Sequence, residues 1–100
     1  YYLCGQVPFH PVTGEVVGNG MKEQAVQTLA NMKAVLEAAG LAVTDIAKTT
    51  VFVTNMDDFA AFNEVYAAFM GEHRPARVCV EVSNIAHGCL LEMDAICFKE

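Results

Sequence analysis

P-A-R-V-C-V-E-V, Pro75 to Val82, decides how this chain is read, because it sets an arginine inside a run with the alternation of a β-strand. A period of two puts Val78, Val80 and Val82 on one face and Arg77, Cys79 and Glu81 on the other. The valine face is expected to be core. A guanidinium fixed on a sheet needs a partner, and its planar fork matches a carboxylate or phosphate through two parallel hydrogen bonds. The plain structural alternative is an internal pair with Glu81 or another nearby acid, the ordinary arrangement for a strand arginine.

Upstream of this run, Phe59, Phe62, Tyr66 and Phe69 recur at helical spacing and stop at Gly71, with Asn55 and Asp57 available as caps. The aromatic stripe reads as core. Lys48 to Thr54 is rich in β-branched residues and predicts a strand. Met21 to Ala39 repeats Ala25, Leu29, Met32, Leu36 and Ala39 on one side, an amphipathic helix ended by Gly40. Tyr1 to Val7 predicts a first strand. Pro8 to Gly20 reads as a loop or hairpin in which Glu15 to Val17 pair briefly, and Cys89 to Phe98 closes the chain as a last strand.

The order β, β-loop, α, β, α, β, β predicts one α+β domain over residues 1–100, a single sheet with two helices on one face. If Leu91, Met93 and Ala95 join the valines against the helices, then Arg77, Cys79, Glu81, Leu90, Glu92 and Asp94 fall on the uncovered face. Hydrophobic residues make up 54% and charged residues 18%, too little polar surface for a monomer, so the uncovered face is expected to meet another subunit.

Six basic residues stand against twelve acidic ones, and a formal net charge of −6 argues against a general polyanion partner. No apolar run approaches a membrane span, and no basic-then-apolar leader opens the chain, which begins at Tyr1 without a methionine and is expected to lack its start. Cys4, Cys79, Cys89 and Cys97 lie in apolar runs without C-x-x-C spacing and read as the reduced thiols of a cytoplasmic protein. His10, His73 and His87 are scattered among turn residues and read as solvated; no metal is expected.

Six stretches then carry a resemblance. C-G-Q-V-P (Cys4 to Pro8), H-P-V-T-G-E (His10 to Glu15), E-A-A-G (Glu37 to Gly40), K-T-T-V-F-V-T (Lys48 to Thr54), D-D-F-A-A-F-N-E-V-Y (Asp57 to Tyr66) and P-A-R-V-C-V-E-V together resemble the RidA/YjgF family, also called the L-PSP endoribonuclease family. The resemblance implies a homotrimer of chorismate-mutase-like subunits with one site in each intersubunit cleft. It implies hydrolysis of reactive 2-imino (2-enamino) acids to 2-keto acids and ammonia, without a cofactor, since an imine is already electrophilic.

By the same resemblance Arg77 holds the substrate carboxylate, Glu92 positions the attacking water, Gly5 lines the pocket and Cys79 presents its backbone to the ligand. Cys4 stands where the family usually has a serine, and a thiol is a weaker donor. The family's upstream strand and tyrosine-bearing loop have no counterpart in these residues, and Tyr1 and Tyr2 belong to the first strand instead. Two further readings stay open: a binding module for a 2-keto acid or similar carboxylate, which needs Arg77 but not Glu92, and an endoribonuclease acting as a translation inhibitor. The acidic balance and the lack of a histidine pair with hydrolytic spacing weigh against the last.

Overall fold

The structure, a computed structural model, describes residues 1–100. Its elements are β1 (Tyr2–Gln6), α1 (Met21–Ala38), β2 (Ile46–Val53), α2 (Phe59–Met70), β3 (Ala76–Glu81) and β4 (Leu91–Cys97). The strands form one sheet in the order β1-β4-β2-β3. β2 and β3 are parallel, joined through α2 as crossover, and the other neighbours are antiparallel.

Helix α1 forms where the apolar spacing predicts it. Ala25, Leu29, Met32 and Leu36 are almost fully buried against the sheet. Gly40, at φ +74°, then turns the chain out: its N–H donates to Glu37 O, and Leu41 N–H reaches back to Leu36 O at 2.8 Å. That pair of bonds is a Schellman motif, which favours glycine in the left-handed position. Before α2, Asn55 Oδ1 accepts from Asp57 N–H at 2.9 Å and nucleates a single turn, Met56–Asp58, that runs into the helix. Asn55 therefore caps this turn rather than α2 itself, whose N-cap is Asp58, and Asp57 supplies only the donor. The brief pairing foreseen near Glu15 to Val17 is one bridge, Phe9 to Val16, outside the sheet.

Two helices cover one sheet face, and the register identifies which residues lie beneath them. Thr49, Val51 and Val53 of β2 stand beside Ala95, Met93 and Leu91 of β4, all buried. On the other side the same three residues stand beside Arg77, Cys79 and Glu81 of β3. Arg77, Cys79 and Glu81 thus share the helix-covered face, and the expectation that the valines do so is wrong. Val78 and Val80 lie on the open face, 43% and 41% exposed, beside Thr50 and Phe52. Alternation separates two faces but carries no label for the covered one; only pairing with Val51 supplies it. Leu90, also expected on the open side, packs against the core.

The open face is otherwise as anticipated, with Glu92 and Asp94 beside Phe52 and Thr50. Tyr2 and Ile96 extend it, exposed at 86% and 38%. Tyr2, Val78, Val80 and Ile96 thus place exposed apolar side chains on one face of the sheet. All four cysteines are free thiols, and no helix is long and apolar enough to cross a membrane.

Candidate functional site

Arg77 lies where β3, an edge strand, passes beneath α2. Phe59, Asn63 and Tyr66 follow one another at i, i+4 and i+7, which brings all three to one side of α2. That side meets the guanidinium. Its Cζ sits 4.8 Å from the Tyr66 ring centroid and 5.2 Å from that of Phe59, and its Nη1 donates to Asn63 Oδ1 at 2.7 Å. Tyr66 is fixed in turn, since its hydroxyl shares a 2.8 Å hydrogen bond with Thr49 Oγ1, fully buried in the strand beside Arg77. The rings supply cation–π attraction without neutralising the charge.

No carboxylate pairs with Arg77. Glu81, the expected internal partner, instead accepts from Met56 N–H at 2.9 Å, and the one ion pair of the chain joins exposed Lys22 and Glu64. One of five guanidinium donors is used by Asn63, which leaves the fork able to grip an anion. The strand edge adds to it. Val82 N–H donates inward to Val53 O, so by alternation the N–H and C=O of Arg77, Cys79 and Glu81 point away from β2 along the free edge. The Cys79 side chain faces the core, where burial pushes the thiol pKa up and the Arg77 charge only partly opposes it. Its chemistry toward a ligand is that of its backbone amide.

A cleft of about 480 Å³ opens beside Arg77, lined by Asn63, Tyr66, Met70, His73 and Arg74 among others. His73 is not the solvated loop histidine expected: its Nε2 is 2.8 Å from Ile46 O, tying the segment before β3 to the start of β2.

Glu92 is elsewhere. It stands on the open face beside Phe52, next to a bulge in β1 where Cys4 and Gly5 together oppose one residue of β4. The carboxylate folds over Gly5: a Cβ there would collide with Oε2 and lie 3.0 Å from Cδ. Gly5 is thus the residue that lets Glu92 lie against the strand. Cys4 is exposed beside it, and Gln6 Nε2 donates to its carbonyl at 3.2 Å and approaches its Sγ at 3.3 Å.

Five residues singled out from sequence therefore form two groups on opposite faces. Arg77 and Cys79 belong to the covered face and its edge; Cys4, Gly5 and Glu92 belong to the open face. The expectation that Arg77 and Glu92 share one face is corrected by the register. Phe59, Asn63 and Tyr66 were missed as site residues: Phe59 and Tyr66 stood in the aromatic stripe read as core, and Asn63 stood outside it.

The family model described as Endoribonuclease L-PSP matches residues 1–99. A RutC family protein of Pyrococcus horikoshii is 50% identical over 99 residues, covering 99% of this chain and 79% of the relative. A 2-iminobutanoate/2-iminopropanoate deaminase of Escherichia coli is 49% identical over 98 residues, covering 95% and 76%. Among solved structures, RidA from an Antarctic Psychrobacter superposes with a TM-score of 0.93 at 40% identity, over 98% of this chain and 79% of that one.

Proposed function

Because this chain belongs to the endoribonuclease L-PSP family, the RidA/YjgF proteins, we propose that it hydrolyses 2-imino acids to 2-keto acids and ammonia at clefts between its own copies. The observation that carries this reading is the Arg77 guanidinium, paired with no carboxylate and held against two rings at the free edge of β3. Arg77 takes the substrate carboxylate in two parallel hydrogen bonds, and the outward amide of Cys79 adds a donor. That fixes the C=N carbon at a set distance from the edge.

Glu92 works from the other side. Within one chain it lies on the opposite sheet face from Arg77, so the two meet at one substrate only when the open face of one protomer covers the β3 edge of the next. The exposed apolar residues of that face supply a reason to be covered. A homotrimer is the assembly proposed. Glu92 passes both protons of the water to nitrogen in turn: the first as the water oxygen bonds to the imine carbon and a carbinolamine forms, the second, from the new hydroxyl, as the C=O double bond forms, the C–N bond breaks and ammonia leaves. The name of the 49% identical Escherichia coli relative, 2-iminobutanoate/2-iminopropanoate deaminase, supports this chemistry.

A second reading, carboxylate binding without turnover, is favoured by the same arrangement, since a chain that stays monomeric keeps Arg77 and loses Glu92 from the site. The two are separated by generating 2-iminobutyrate in situ with a threonine dehydratase and following 2-ketobutyrate. Faster release with this protein present, at a rate proportional to its concentration, supports hydrolysis. No acceleration, with 2-ketobutyrate still bound, supports the binding module.

A further inference from the structure

The chain has two arginines, and both line the same cleft. Of its twelve acidic residues none does. Arg74 lies three residues before Arg77 in the extended segment leading into β3, so their Cα atoms are at most about 11 Å apart, within reach of two long side chains converging on one ligand. Arg74 Nη1 donates to the carbonyl oxygens of Gly71 and of His73, the latter at 2.9 Å. Both bonds use one nitrogen and hold the guanidinium at the end of α2 with its Nε and Nη2 still available. An acidic protein thus carries a local concentration of positive charge in one concave place.

The geometry points to a second anion position at Arg74, so that the preferred ligand of this cleft carries two carboxylates: a 2-imino dicarboxylic acid and its 2-keto product. This rests on the role proposed above for Arg77. Arg77 grips the carboxylate next to the C=N carbon, and Arg74 takes the distal one. The cleft, about 480 Å³, is within the range of small-molecule sites and accommodates a five-carbon diacid. A monocarboxylate of equal length leaves Arg74 to water.

The test uses two probes with one five-carbon backbone, 2-ketoglutarate and 2-ketovalerate, which differ only in the second carboxylate. Calorimetric titration of the intact protein is expected to give about tenfold or tighter binding of 2-ketoglutarate, the worth of a charge-assisted hydrogen bond. The advantage shrinks as salt rises. Arg74→Gln brings the two affinities together, whereas Lys33→Gln, on α1 and outside the cleft, keeps the preference. If Arg74 merely caps α2, Arg74→Gln lowers the melting temperature and leaves the preference intact, which overturns the inference. Equal affinities in the unaltered protein overturn it too but leave the proposed hydrolysis standing; failure of both probes to bind overturns both.

Discussion

On the helix-covered face, the row Ala95, Thr49, Arg77 ends in a guanidinium with two aromatic rings within cation–π distance and an amide on one nitrogen. On the open face, the row Glu92, Phe52, Val80 carries its charge next to Gly5 and leaves its apolar members to solvent. The difference lies in what each face still needs. The covered face has finished its packing and offers a pre-oriented donor at its edge. The open face has a carboxylate placed by a bulge and an apolar surface without a cover. On the proposed function each supplies half of a site, and the sheet itself keeps the halves apart within one chain.

The sharpest way to break this comparison is to remove the charge from the covered face. Arg77→Ala should cost about 2–4 kcal/mol of carboxylate binding, and Arg77→Lys nearly as much, because an ammonium keeps the charge but loses the fork and the ring stacking. Titration with 2-ketobutyrate reads the loss. Normal affinity with a lowered melting temperature would make Arg77 a packing residue only.

On the open face, Glu92→Gln should slow imine hydrolysis by roughly 10²-fold while ligand affinity stays close to normal, the usual cost of losing a general acid–base group. Gly5→Ala should approach the same loss by displacing the carboxylate rather than neutralising it. Glu81→Gln is the contrast. Its carboxylate holds Met56 N–H, so its loss should appear in stability rather than rate.

Tyr66→Phe tests the support beneath Arg77. It leaves the buried Thr49 hydroxyl without its partner and should cost about 1–3 kcal/mol in denaturant unfolding. A silent substitution would mean that the hydrogen bond to Thr49 contributes nothing to holding the Tyr66 ring in place.

The smallest expected effect concerns pH. Burial raises the thiol pKa of Cys79, Cys89 and Cys97, so the folded chain holds these protons more tightly than the unfolded one. That stability is complete below the unfolded thiol value and is lost as pH rises past it toward the folded values. Unfolding midpoints should therefore fall above about pH 8.5, and less steeply in a Cys89→Ala background.

Most of the fold was legible because its elements carry strong local signals: Gly40 stops α1, the β-branched run makes β2, and the aromatic period makes α2. The covered face of β3 was not. Val78 and Val80 look like core to any reading of hydrophobicity, and only their parallel register with Thr50 and Phe52 turns them outward. The same register separates Arg77 from Glu92, which motif order could not reveal. Asn63 escaped notice for a related reason: a polar residue between Phe62 and Val65 carries no mark until a strand beneath presents something to bond.

The claim that one site is shared between copies is tested most directly by mixing two inactive proteins. Arg77→Ala and Glu92→Gln chains, each assembled alone, lack a complete site. Unfolded together in equal amounts and reassembled, they should recover about one quarter of the normal imine-hydrolysing activity, the share of interfaces in a cyclic assembly that join an intact arginine to an intact glutamate. If mixed assemblies form and stay as inactive as the separate variants, Arg77 and Glu92 do not act across an interface, and the account is contradicted.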